Sequence, residues 1–459
     1  MAKNLSAFKT ANFSNLNTTD SQLQVADSDI VVAENVEYTV TGGVKSINGL
    51  TTIGGNISVN SIAGTKFLGA VVFNQLFYAM VSNGTAARLV YYTGGVWTEA
   101  NSQNFDPDAL VEFQVYTNKL FFINGLTTNS NVLHTLSTAN VLTGIATTSG
   151  LETGMTSINI HLERLWISKG NKLFVSALYP TGTAYDWDAS TVYSGANTAG
   201  IIQIDNVTED TIMATKVMFG NLVVFRKLSI WLIEGQTVLQ MYISRKTNAM
   251  TGVKAIRSVA KADTSAYFMS HQGIKIFTGT TVKEGVTNVD TISSDRLDRK
   301  ISTLVDSLTN QTALIGHAFN DKYYLSDPTS SLVLVYDEVV GGWSKWTDIK
   351  AEVFLDFEGI LYCGSVKNFY SVNTNTGSSI HSEIKTKDFN MGTDVYQKVF
   401  HSLTAVFRTL NSSLKYAACA SVSASTRRGS RIEMESILRL YHAWNECSPA
   451  SPRSCIFVS

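Results

Sequence analysis

Carboxylates, imidazoles and thiols are the side chains here that could do chemistry, and their spacing is the first test. Three Asp-x-Asp pairs, Asp27/Asp29, Asp106/Asp108 and Asp186/Asp188, could hold calcium if loop carbonyls completed the shell, but none carries the glycine and distal glutamate of a calcium loop. Seven histidines stand singly at 134, 161, 271, 317, 381, 401 and 442, without metal-ligand spacing to a second histidine or a cysteine. Of four cysteines, Cys363 is alone in the body of the chain and Cys419, Cys447 and Cys455 cluster near the end; none forms a CxxC pair. There is no GxSxG elbow, P-loop, dinucleotide-binding glycine pattern or sialidase-type box. Two carboxylates converging from distant parts of the chain would still suit glycoside hydrolysis. No catalytic, cofactor-binding or metal-binding residue is assigned, and the chain is read as a non-enzyme without cofactors.

The elements that would position any such groups are strands. In 459 residues, 44% are hydrophobic and only 16% charged, against about 25% in ordinary soluble proteins, so Ser, Thr, Asn and Gly must cover much of the surface. The net charge of −1 excludes a global basic field for phosphate backbones. The first residues lack the apolar core of a signal peptide, and no run is long enough to span a bilayer, so the chain is expected to be made and kept in the cytosol at least initially.

The stretch GNLVVFRKLSIWLIEG at 220–235 reads as two strands joined by a tight basic turn at Arg226–Lys227, placed at a rim. The same strand, polar turn, strand pattern starts at 75, 119, 164, 265, 322 and 360. With the hairpin counted from 221, the mean step is about 47 residues, and a further strand precedes most of the hairpins. This period predicts a mainly β protein, a β-propeller of six or seven blades over residues 66–378. Blades cover one another on both faces, so their strands read as continuous apolar runs. Trp97, Trp343 and Trp346, in the aromatic closes of two units, are expected to pack between blades. The segment SSDRLDRKISTLVDSL at 293–308 places Leu297, Ile301, Leu304, Val305 and Leu308 at helical spacing, with serines to cap its start; it predicts a short helix inserted between blades.

Residues 1–65 depart from the repeat and are expected to form a β-rich platform segment, with a hairpin in 35–55 turning at Gly42–Gly43. Residues 379–410, including SEIKTKDFNMGTDVYQKVFHSLTAVF, read as a strand-rich return to that platform. In Asn35, Val36, Gly42, Gly43, Lys45 and Gly49, and in the propeller and return that follow, the chain resembles the tail-nozzle or tail-hub proteins of short-tailed bacteriophages; Ile47–Asn48 stand where an arginine is common in that pattern. The resemblance implies a non-enzymatic virion protein of the tail, assembled in the host cytoplasm. It implies a ring, usually of six copies, beneath the portal and adaptor rings, with tail fibre or needle proteins as further partners. The genome would leave through the ring without sequence-specific binding, which suits a near-neutral chain.

After about residue 410 strand periodicity ends and arginines gather at 427, 428, 431, 439 and 453. Residues 411–459 are read as an atypical tail, either frameshifted in place of final strands or a genuine disordered end; in the first case the chain is expected to be poorly soluble, while a version cut near residue 380 keeps its propeller. Two other function classes stay open: a carbohydrate-binding, receptor-recognising propeller, and a glycoside hydrolase.

Overall fold

The structure, a computed structural model, describes residues 13–386 apart from 22–23, 60–61, 64–65, 125–130, 147–150, 179–197, 219, 236–241, 248, 250, 264, 279–293 and 375–379. Each sequence unit becomes an antiparallel four-stranded meander. Six sheets have four strands, built from residues 66–99, 112–146, 157–203, 212–246, 260–296, and 353–372 with Leu50–Ile53. A seventh contains the same meander, residues 315–347, continued by strands from both flanking segments. Numbered along the chain as blades 1–7, the meanders at 315–347 and 353–372 are blades 6 and 7. The second strand of every blade starts within one residue of the predicted hairpin start.

The turn between the first two strands is built alike in five blades. Asn74–Gln75, Thr117–Asn118, Leu162–Glu163, Asn320–Asp321 and Glu358–Gly359 all have positive φ at both residues. That is the backbone of the two-residue turns that match the twist of the flanking strands. The geometry repeats although the residues do not, which is why the units share a pattern and no motif.

Seven hydrophobic cores lie one at each seam between adjacent blades. Alternate residues of one strand feed opposite seams: in blade 4, Leu222 and Val224 pack toward blade 3, and Val223 and Phe225 toward blade 5. The continuous apolar runs are thus strands buried on both faces. Trp97 packs between blades 1 and 7, Trp343 between blades 5 and 6, and Trp346 between blades 6 and 7, as the sequence predicts. At 1% exposure, Trp343 and Trp346 each remove roughly 200 Å² from water, worth about 5 kcal/mol of transfer free energy.

The expectation for Arg226 is corrected. It does not stand in a rim turn but ends the strand Asn221–Arg226 with a fully buried side chain. Its Nε donates to the Asp210 carbonyl at 2.6 Å, Nη1 lies 3.3 Å from Asp205 and 3.4 Å from Asp210 carboxylate oxygens, and Nη2 donates to the Val207 carbonyl at 3.3 Å. Paired so fully, a guanidinium can be buried. The predicted helix is also shorter and later: Ser294–Arg296 is the outer strand of blade 5, a 3₁₀ turn spans Arg299–Ile301, and the α-helix is only Ser302–Asp306. No serine caps it, because the position before it is Ile301. Its predicted apolar stripe does reach the core, through Ile301, Val305 and Leu308.

A second layer covers the outer edge of blade 6. Asn15–Leu16 runs parallel to Asp29–Glu34, which pairs on its other side with Glu383–Thr386. A Cβ added to Gly342 would sit 1.6 Å from the Ser14 carbonyl oxygen, so only glycine admits this strand. The predicted hairpin forms between Val36–Tyr38 and Val44–Ser46, with Gly42 at φ 79° in its turn. Leu50–Ile53 then leaves this layer to become the fourth strand of blade 7. The described part of the expected return thus pairs with the N-terminal segment; residues 387–459, with the rest of the return and the whole tail, lie outside the described residues.

Asn35 joins these parts. It is fully buried at φ 53°. Its N–H donates to the Lys345 carbonyl at 2.8 Å, and its carbonyl accepts from the Ile47 N–H at 3.0 Å and the Ser382 hydroxyl at 2.9 Å. Its side-chain amide donates to Thr347 Oγ1 at 3.0 Å and the His381 carbonyl at 2.7 Å, and its side-chain oxygen accepts from the Thr347 N–H at 2.8 Å. One side chain therefore holds blade 6 to the C-terminal segment, in a backbone conformation that asparagine tolerates and alanine does not. We expect Asn35→Ala to cost about 4 kcal/mol, and Asn35→Gly, which relieves the backbone but not the lost bonds, about 1 kcal/mol less; denaturant melts of the two variants check the order.

Candidate functional site at the propeller axis

The first strand of each blade touches the first strand of the next around most of the ring, so these strands are innermost and face the axis. Blade 5 differs. Its first strand is only Ala260–Lys261, and the 3₁₀ turn Ile256–Ser258 fills the gap, touching the first strands of blades 4 and 6. The turn carries Arg257.

Polar contacts cross the axis here between blades that are not neighbours. Glu112 opens the inner strand of blade 2; its Oε2 accepts from the Ile158 N–H of blade 3 at 2.9 Å, and its Oε1 pairs with Lys216 Nζ of blade 4 at 3.1 Å. Arg257 Nη2 donates to the Glu352 carbonyl, beside blade 7, at 3.1 Å. The Glu352 carboxylate takes the Phe67 N–H of blade 1 at 3.0 Å, the Val366 N–H at 3.1 Å, and Lys350 Nζ at 3.2 Å. Burial pulls the Arg257 guanidinium down to about 10, opposed by the charges of Glu352 and Glu112, so it is a cation at neutral pH. One charged cluster thus spans blades 2, 4, 5 and 7.

Two carboxylates from distant blades do come to the axis, as a hydrolase would need, but both are engaged by backbone N–H groups and a lysine. This arrangement locks seams. A third contact lies between blades 6 and 7, where His317 Nε2 sits 3.1 Å from Asp356 Oδ1 and its ring stacks on Phe354 at 5.9 Å. The His317 imidazole beside it holds the Asp356 carboxyl below the usual carboxylate range.

The other residues singled out from sequence do not converge. Asp29 is buried against Asn17 and Lys300, both at 3.0 Å, while Asp27 is exposed. Asp106 accepts from the Asp108 N–H in its own loop, and Asp108 lies 3.5 Å from Lys66. Among the described residues no three His, Cys, Asp or Glu side chains are grouped to hold a metal ion. Asp186/Asp188, His401, His442 and the three late cysteines lie outside the described residues. His134 and His161 are buried in blades 2 and 3, stacked on Phe122 at 5.1 Å and beside Trp166 at 6.0 Å respectively. The axial residues Glu112, Lys216, Arg257 and Glu352 were not singled out. The available signal was an acid at the leading end of an otherwise apolar inner strand, in VEFQVY and AEVFLDF.

No protein-family model matches the chain, and no curated protein sequence matches it. Solved structures with a similar course include the Pan2 WD40 domain of Neurospora crassa, at 8% identity and TM-score 0.44, covering 68% of this chain and 91% of that one. Virginiamycin B lyase from Staphylococcus aureus is similar at 11% identity and TM-score 0.48, covering 71% and 98%. BamB from Moraxella catarrhalis is similar at 11% identity and TM-score 0.41, covering 75% and 92%. At such identities and scores, the propeller assignment rests on the strand pairing described above.

Two outcomes follow from the axis and the buried imidazoles. Glu352→Ala leaves the buried Phe67 N–H and the Val366 N–H unpaired, and a loss of about 3 kcal/mol is expected in urea unfolding. Burial drives His134 and His161 each down to about 4, below an unfolded value near 6.5. A depressed imidazole favours the folded state fully above about pH 6.5 and loses that contribution as pH falls toward 4, up to about 3 kcal/mol per histidine. The melting temperature should therefore fall between pH 7 and pH 4.5, and His134→Phe should flatten that slope.

Proposed function

We propose that this protein is a non-enzymatic structural component of a short-tailed phage tail, forming part of the ring through which the genome leaves. The carrying observation is the second layer on blade 6. Segments preceding and following the propeller meet there, Asp29–Glu34 against Glu383–Thr386, with Asn35 at the junction. This is the arrangement of platform and return that the resemblance implies, and Asn35, Val36 and Gly42 of the matched pattern are the residues that build it.

The axis supports the same reading in a second way. The Glu112–Lys216 and Arg257–Glu352 contacts cross the bore, so a polymer would not thread a single propeller. A conduit would form between copies, with each propeller as a wall block. The layer on blade 6 offers an apolar contact for this. Val40, 83% exposed at the hairpin tip, and Val339, 59% exposed in blade 6, line a cleft of about 310 Å³ together with Phe13 and Val340 and the polar Ser14, Thr39 and Thr41. Exposed apolar groups beside a cleft suit subunit contacts. In this reading the partners are further copies, the portal or adaptor ring, and fibre or needle proteins.

Light scattering and negative-stain imaging of the full chain, alone and with portal–adaptor complexes, test this. Rings with a central opening that dock on the adaptor are expected, and Val40→Asp with Val339→Asp should leave monomers of unchanged melting temperature. A chain that stays monomeric with the adaptor present and binds glycans on an array would favour the carbohydrate-binding alternative.

A further inference from the structure

The two ends of the propeller carry different side chains. In an antiparallel meander the first turn (first strand to second) and the third turn (third strand to fourth) lie at one end of the blade, and the second turn lies at the other. The inner strands run the same way around the ring. Glu112, which opens the inner strand of blade 2, reaches Ile158 of blade 3, and Tyr116, which closes it, donates its hydroxyl to the Glu163 carbonyl in the first turn of blade 3 at 3.1 Å. First and third turns of different blades therefore share one end of the molecule. The cleft beside Val40 and Val339 stands at that end, because Val339 lies in the third turn of blade 6, between Leu332–Asp337 and Gly342–Thr347. Its surroundings are acidic: on the hairpin and the blade 6 turns that frame it, Glu37, Asp321, Asp337 and Glu338 outnumber Lys45 and Lys322. Lys322 is spent between Glu37 at 2.9 Å and Asp337 at 3.9 Å. Asp321 and Glu338 are exposed and joined, the Glu338 N–H donating to the Asp321 carbonyl at 2.8 Å, and neither carboxylate lies in an ion pair among the described residues; Glu338 Oε2 accepts from the Tyr267 hydroxyl at 2.7 Å.

The opposite end carries the complement. Leu228, 53% exposed, tips the second turn of blade 4, with the exposed Lys227 beside it. The turn is held firmly. The Leu228 N–H donates to Asp210 Oδ1 at 2.6 Å, the Lys227 N–H donates to the Thr211 carbonyl at 2.9 Å, and Gly252 packs so closely that a Cβ there would lie 2.4 Å from the Leu228 nitrogen. Asp205 and Asp210 turn inward onto Arg226, at 3.3 and 3.4 Å, so Glu209 is the one exposed acid in the connection before blade 4, and Lys227 lies in no ion pair among the described residues. Val366–Lys367 in the second turn of blade 7 is the same pairing with less of the aliphatic side chain exposed. A pre-set aliphatic group loses little freedom on docking, and a lysine beside it matches an acid-rimmed apolar cleft. We propose that Leu228 and Lys227 of one copy dock in the Val40–Val339 cleft of a second copy, the leucine against the valines and the lysine toward Asp321 and Glu338. The two surfaces lie at opposite ends of the molecule and cannot satisfy each other within it. The contact is therefore heterologous: each copy offers one of each, and closed rings or open rows follow. A net charge of −1 sets no long-range repulsion against it. The contact rests on the reading that copies associate through this cleft, and not on their place in a tail.

Analytical ultracentrifugation of the full chain, of its variants and of their mixtures tests this. The unmodified chain is expected to associate, less so as salt rises. Leu228→Asp, which keeps the cleft, and Val40→Asp with Val339→Asp, which keeps the leucine, should each weaken association about tenfold or more, with melting temperatures unchanged because all three side chains are exposed. Mixed in equal amounts, the two variants should form dimers and nothing larger, since each pair retains a single intact contact. Lys227→Glu should weaken association and Glu209→Gln strengthen it. Melting of each variant establishes that it is folded; if Leu228→Asp does not fold, Leu228→Ala with Lys227→Glu takes its place. Association unchanged in a folded Leu228 variant, a mixture without dimers, or an unmodified chain that stays monomeric at low salt would overturn the proposal. Rings that dock on the adaptor yet are indifferent to Leu228 would remove this contact and leave the tail reading standing; dimers in the mixture, with no rings on the adaptor, would do the reverse.

Discussion

Closure of the ring is the constraint on which everything else depends. Blades are wedges whose faces are both apolar, and an open row of them would leave one face of the first and one of the last in water. Pairing Leu50–Ile53 with Asn368–Val372 closes the row, joining strands more than three hundred residues apart. The seam it closes is dense in aromatics: Phe77 lies 5.4 Å from Phe357, 4.8 Å from Tyr362 and 5.7 Å from Phe369, and Trp97 meets Phe369 at 5.5 Å while its indole N–H bonds to the Ile53 carbonyl. The strand that closes the ring is thus held from the side by a residue of blade 1.

Closure from the N-terminal side has a consequence for the rest of the chain. Among the described residues, the strand Asp29–Glu34 that precedes Leu50 pairs at the outer edge of blade 6, and there it meets Glu383–Thr386 from beyond blade 7. Two segments that would each be an exposed edge strand cover one another on blade 6 instead. Asn35 sits where they cross because the chain must reverse in a buried place, where each backbone N–H and carbonyl needs a partner. The left-handed backbone supplies the reversal, and the amide side chain supplies two donors and an acceptor.

The axis solves a different problem. Inner strands diverge from one another around a bore, and apolar side chains cannot span it. Long charged side chains reach further, and here they tie blade 2 to blade 4 and the turn before blade 5 to blade 7. Glu112 and Glu352 also complete the hydrogen bonds of backbone N–H groups that open the next inner strand, a place where the sheet ladder has ended.

By itself the sequence determined the units. Alternating strand and turn signals placed every hairpin within a residue, because a two-residue turn between apolar runs is a local property, and the tryptophans that close two blades were legible as seam residues for the same reason. It did not determine partners. Arg226 read as a turn residue because a basic pair beside a break is usually solvated; only the approach of Asp205 and Asp210 from the preceding loop made its burial affordable. The helix is shorter than its spacing suggests because Ser294–Arg296 pairs with Lys275–Phe277, and a ladder with a neighbouring strand outweighs weak helical spacing. Arg257, Glu112, Lys216 and Glu352 went unnoticed because they are distant in sequence and belong to four different blades. Only closing the ring turns them toward one axis and makes them neighbours, so their chemistry belongs to the tertiary structure.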